Sequence, residues 1–256
     1  MSELQIRNNL GTVLTSLNWK EGFIAVDGEK HWEEGRSAER LANDFSSKVP
    51  SSGECSLRDI LMSFLHEDKI IWKKATIEHG SQFDSYARPR MQDLAIWGNA
   101  GNKAFFIGVE AKVDEPFGSK NIGEQKKYIN RILASGKNTN ADKRLYELCE
   151  DFLGGLEDHR INSLRYQLLY YLAGSFRENA DYIIMPVFTY HSDKFDKIKG
   201  EQNYSDYCYF MDHLGFQKLN LNIANLRIAY YKHIDTYDKD RVTILSKDVY
   251  SCYFEK

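Results

Sequence analysis

The sequence predicts an α/β fold in which a mixed central β-sheet is flanked by helices on both faces. Two strand-like runs, 91–97 and 104–113, are joined by Gly98-Asn99-Ala100-Gly101-Asn102, a turn of Gly and Asn that predicts a hairpin. A long apolar helix over 162–177 then leads to a buried run at 182–190, and such a crossover delivers a parallel strand. Helical periodicity before and after the hairpin supplies the outer layers.

The elements follow in chain order. Ser37 is placed to cap a helix in which Leu41, Ala42 and Phe45 recur at helical spacing. A second helix is predicted over 56–66, with Ser56 as N-cap and Leu57, Ile60, Leu61, Phe64 and Leu65 as its buried stripe. Residues 69–78 are rich in β-formers, and 80–89 read as a polar turn. After the hairpin, 123–134 and 143–152 read as helices. In the 162–177 helix, Leu164, Leu168, Leu169, Leu172 and Ala173 make an apolar face too broad for a surface helix. A helix near 206–214 and strands over 226–233 and 242–254 complete the order.

Composition narrows the function classes. With 256 residues, 42% hydrophobic, the chain can bury a sizeable core. Only four prolines occur and no Pro/Gly/Ser-rich stretch divides the chain, so one domain over 1–256 is expected. The net charge of −3 lacks the basic excess of a non-specific nucleic-acid binder. Any such contact must rest on a local patch. No secretory signal is read at residues 1–18, and the apolar run 182–188 is too short to span a bilayer. Cys55, Cys149, Cys208 and Cys252 are widely separated and form no CxxC pair, which argues against a Cys zinc site or a disulfide framework and fits a reducing cytoplasm. The chain has no HExxH, P-loop, GxGxxG or GxSxG.

The chemistry is expected in Phe105-Phe106-Ile107-Gly108-Val109-Glu110-Ala111-Lys112-Val113. Side chains alternate along a strand, so Glu110 and Lys112 share one face within an otherwise apolar run. Unpaired burial there is costly, so the two either pair on an exposed face or line a polar cleft. Across the hairpin, Asp93 lands beside them. Two carboxylates with a backbone carbonyl, that of Ala111, make a hard oxygen site suited to Mg²⁺, with Mn²⁺ able to substitute. Such a metal polarises a phosphodiester and acidifies a bound water, while Lys112 orients that water and stabilises developing charge.

Asp93, then Glu110-x-Lys112, resembles the PD-(D/E)XK nuclease superfamily, with Gln92 where the named motif has Pro. Gln167-Leu168-Leu169-Tyr170-Tyr171 is similar to the Q-h-x-x-Y helix of RecB-like members, and HWEEGRSAERL and GVEAKVDEPFG are similar to segments of an uncharacterised bacterial subgroup. The resemblance implies a restriction-endonuclease-like core over about residues 35–190, with 191–256 as a C-terminal extension. It implies catalytic roles for Asp93, Glu110, Lys112 and Gln167, and Glu39 as a further metal-binding acid. The expected activity is Mg²⁺-dependent hydrolysis of phosphodiester bonds, of DNA first, in bacterial defence, restriction or repair, with a homodimer as one arrangement. The rival readings are a ribonuclease of the same fold and a nuclease-fold binding module without catalysis.

Two binding features are read from the residues themselves. Between Ser119 and Arg144 seven basic residues stand against two acidic ones, so Lys126 and Lys127 are expected to track phosphates. Tyr171, one turn beyond Gln167, is expected to hold the substrate or the glutamine.

Overall fold

The computed structural model of the chain describes residues 4–46, 50–87, 89–238 and 243–256. Strand β1 (Ile6–Arg7) precedes helices α1 (Trp19–Asp27), α2 (Ser37–Ser46) and α3 (Ser52–Leu65). Strands β2 (Ile70–Ser81), β3 (Arg90–Ala100) and β4 (Lys103–Lys112) follow, then helices α4 (Ile122–Ala134), α5 (Ala141–Leu153) and α6 (Tyr166–Arg177). The chain continues through β5 (Tyr182–Thr189), α7 (Lys197–His213), β6 (Gln217–Leu219), β7 (Leu226–Asp238) and β8 (Thr243–Glu255).

All the strands join one mixed sheet in the order β1-β2-β3-β4-β5-β8-β7-β6. β2, β3 and β4 form an antiparallel meander, and three helices later β5 returns parallel to β4. β8 lies parallel to β5 and separates it from β7, to which it is antiparallel. One face is covered by α1, α2 and α3, whose Trp19, Phe23, Leu41, Phe45, Ile60 and Leu61 pack on Ile77, Ile96, Ile107 and Val109. The other is covered by α4 to α7, whose Ile129, Leu148, Leu169 and Phe210 pack on Phe106, Ile183 and Tyr253. The α/β class and the mixed sheet expected from sequence are present. Among the described residues, no helix is long and apolar enough to cross a membrane.

Several local details differ from expectation. Ser51, not Ser56, caps α3: its side chain accepts the Glu54 N–H, and the helix starts four residues early. The hairpin turn is Gly101-Asn102 alone, because Ala100 already pairs with Lys103. Gly98 belongs to the ladder instead, where a Cβ would lie 2.4 Å from the Ile71 carbonyl oxygen. α6 begins at Tyr166, after a 3₁₀ turn at His159–Ser163. α7 is longer than predicted, and α1, β1 and β6 carried no sequence signal. The predicted turn over 80–89 includes residue 88, and the predicted strand over 242–254 begins at residue 242; both residues lie outside those described.

Candidate active site

The meander opens at one end. β3 and β4 pair from Ala100↔Lys103 to Leu94↔Val109, and beyond that the ladder stops. The carboxylate of Asp93 takes over, its Oδ2 accepting the Ala111 N–H at 2.7 Å. N–H and C=O of one strand residue point to the same edge, so the Ala111 carbonyl also faces this fork. β3 beyond Asp93 stays paired with β2, through His79↔Gln92 and Ser81↔Arg90, and crosses toward α6.

On the α6 side lies Glu110, 1% exposed, with Arg90 and Lys112 each 8% exposed. Lys112 Nζ is 2.7 Å from Glu110 Oε1, and the Gln167 side-chain amide donates to the same oxygen at 2.7 Å. Arg90 Nη2 donates to Glu110 Oε2. Burial pushes the Glu110 carboxyl up, but Arg90 and Lys112 more than offset it and hold it below the usual carboxylate value. Burial works against the Lys112 ammonium, and the nearby Glu110 and Asp93 raise it nonetheless.

On the α1–α2 side, Asp93 borders a pocket of about 180 Å³ whose other walls include Trp19, Phe23, Asp27, Leu41 and Glu78. Burial, then the charge of Glu110, pushes the Asp93 carboxyl up to about 7. Burial and the Asp93 charge push Glu78 up to about 9. Glu78 has φ 47, a left-handed conformation unusual for a side chain with a Cβ. That kink turns it toward Asp93 while His79 reaches across to Glu178 on the other face. A larger cavity, about 460 Å³, lies elsewhere, around Asp84, Arg144 and Asp181, and none of the fork residues lines it.

The predicted site residues fall into two groups. Asp93, the Ala111 amide, Glu110, Lys112 and Gln167 are brought together. Glu39 is not: its carboxylate accepts the Asn43 side-chain amide at 2.6 Å and the Gly35 N–H at 3.3 Å, within its own helix and the turn before it. Lys126 is spent on the Leu156 carbonyl (3.0 Å) and Asn162 (3.2 Å), while Lys127 is exposed on α4. Tyr171, expected against substrate, is instead fully buried, its hydroxyl donating to the Gly108 and Pro186 carbonyls across β4 and β5. Sequence reasoning missed Arg90. Its one local sign is a cation two residues before Gln92, on the same face of a strand.

A family model described as a domain of unknown function, DUF6946, matches residues 13–233. The chain belongs to this family. Its match covers every residue of the fork and extends past 190 into α7, β6 and β7. Comparison of the DUF6946 chain with curated proteins and with solved structures gives no match.

In kind, the fork's donors suit a hard divalent cation: two carboxylates and a free-edge carbonyl. In arrangement, Glu110 is already held by a guanidinium, an ammonium and an amide. Among the described residues, no three His, Cys, Asp or Glu side chains close around one point as metal ligands.

Proposed function

We propose that this protein is a divalent-metal-dependent nuclease with a restriction-endonuclease-like core, acting on DNA. One observation carries the reading. Asp93, Glu110 and Lys112 stand at a fork in an antiparallel meander that continues, through a helical crossover, into a parallel strand, and Gln167 of that crossover bonds to Glu110. Asp93, Glu110 and the Ala111 carbonyl would hold the metal, which when bound activates water and polarises the phosphodiester. Lys112, free to leave Glu110 once that carboxylate is otherwise neutralised, orients the water and stabilises charge on the phosphoryl oxygens. Gln167 fixes the rotamer of Glu110. A role in bacterial cytoplasmic defence, restriction or repair is proposed on analogy alone.

A second reading, a nuclease-fold binding module without catalysis, is favoured by one fact: Glu110 is fully engaged by Arg90, Lys112 and Gln167. One assay separates the two. Purified protein is incubated with supercoiled plasmid, linear duplex, single-stranded DNA and RNA, each with Mg²⁺, Mn²⁺ or EDTA. Cleavage that needs metal and is lost in Asp93→Asn and Lys112→Ala supports the nuclease, and the substrate cut decides between DNA and RNA. Binding without cleavage in every metal supports the module. Full cleavage in EDTA overturns the metal-dependent reading.

A further inference from the structure

Arg90 is the least expected member of the cluster and the least satisfied. Its side chain is more than nine-tenths buried. A guanidinium carries five N–H donors. Here Nη2 serves Glu110, while Nε is buried with no acceptor among the described residues. A buried, unpaired donor on a charged group is costly. The rings of Tyr170 and Tyr171, at 5.4 and 5.7 Å, hold the guanidinium in place, but they supply no acceptor for Nε in return.

The surroundings show how this donor could find an acceptor. Glu110 does not depend on Arg90 alone, because Lys112 and Gln167 both sit on its other oxygen. Arg90 itself has no ladder bond to β4, since that pairing ends at Leu94↔Val109. Formal charge balances one for one: Arg90 and Lys112 against Asp93 and Glu110. A dication added to this set brings two excess positive charges, and a phosphodiester brings a negative one back. The carboxylate that Arg90 holds is one of the two that would bind a cation at the fork.

We propose that Arg90 is a displaceable counter-ion of the site: it holds the Glu110 carboxylate that would otherwise help bind a divalent cation, and on ligand binding it exchanges that carboxylate for an oxygen of the substrate's phosphate. The proposal rests on the nuclease reading and deepens it. Arg90 is then both the reason the metal-free cluster is closed and a phosphate contact in the loaded one, with its Nε satisfied by the second phosphoryl oxygen in a forked pair.

The test is calorimetric titration of wild type, Arg90→Gln and Arg90→Lys with Mn²⁺ alone, and with thymidine 5′-monophosphate in saturating Mn²⁺. Thermal midpoints are recorded in parallel. Displacement predicts opposite signs in Arg90→Gln: Mn²⁺ binds about tenfold more tightly or better, and the nucleotide about tenfold more weakly. Arg90→Lys keeps a cation on Glu110 but loses the fork, so Mn²⁺ affinity stays near wild type while nucleotide binding falls. It also serves if Arg90→Gln does not fold. A merely structural arginine predicts that both affinities fall together with the midpoint, and that result overturns the proposal. So does a folded Arg90→Gln that binds Mn²⁺ no more tightly than a wild type that does bind it; the nuclease reading then survives. If neither wild type nor either variant binds Mn²⁺, both fall.

Discussion

At the scale of single residues, the two carboxylates of the fork differ in what they hold up. On the proposed nuclease reading, Asp93→Ala, Glu110→Ala and Lys112→Ala are each expected to lower cleavage by about a hundredfold or more, the usual scale for a lost electrostatic or acid–base group. Their stabilities should separate. Glu110→Ala leaves Arg90 and Lys112 buried without their direct partner, with Asp93 alone to balance two cations, and denaturant titration should show a loss of about 3–5 kcal/mol. Asp93→Ala forfeits mainly the bond to the Ala111 N–H and should cost about 1–3 kcal/mol. Glu78 sets a pH dependence. Its folded carboxyl titrates near 9 against an ordinary 4.5, so the folded state holds the proton more tightly. Stability therefore falls as pH rises from about 4.5 through about 9. Glu78→Gln removes that penalty, and its thermal midpoint should exceed wild type at pH 8 but match it at pH 4; an equal gap at both would unseat the assignment. Asp93, Glu110 and Lys112 were legible because hairpin spacing and strand alternation locate side chains with little tertiary help. Arg90 was not, and Glu78 could be read only as a strand-end acid facing either a metal or the surface, because a left-handed kink at a glutamate and the parting of two strands are set by tertiary packing.

At the scale of the element, α6 carries two polar residues one turn apart with different tasks. Gln167 touches Glu110, while Tyr171 ties Gly108 on β4 to Pro186 on β5. Gln167→Leu keeps the volume and should leave the thermal midpoint nearly unchanged while turnover collapses. Tyr171→Phe should do the reverse, costing about 1–3 kcal/mol in denaturant while the folded protein retains whatever cleavage activity wild type has. If Gln167→Leu keeps its activity, α6 is no part of the site. Gly108 permits this docking: a Cβ there would lie 2.9 Å from Ser175 Oγ and 3.0 Å from Gln92 Oε1. The apolar breadth of α6 was readable from its leucines, and so was the need for a partner at Gln167. Tyr171 was misplaced because helical spacing gives the side of a helix, not the depth at which it lies. Burial depends on β4 and β5, which no window around residue 171 contains.

At the scale of the whole molecule, the hairpin and the crossover were predictable from local runs, and the place of the last strand was not. The segment after residue 190 reads as an appendage, yet β8 hydrogen-bonds between β5 and β7, inside the sheet. Parallel partners are chosen by long-range packing, and sequence pattern does not encode which edge a late strand will take. A chain ending at residue 190 should therefore lack cooperative unfolding; a soluble, two-state fragment would show that β8 is dispensable. The position of β8 also bears on how the protein is made. Ser251 contacts the Met185 carbonyl across 66 residues of chain, so the middle of the sheet closes only after β8, a full 66 residues beyond β5, has been synthesised. Until then Ile183, Ile184 and Met185 sit on a bare strand edge, and loop-closure entropy slows the final pairing. The nascent chain spends that interval exposed to aggregation and proteolysis, so a chaperone that masks strand edges should raise the yield of refolded protein more than it raises the stability of the finished fold.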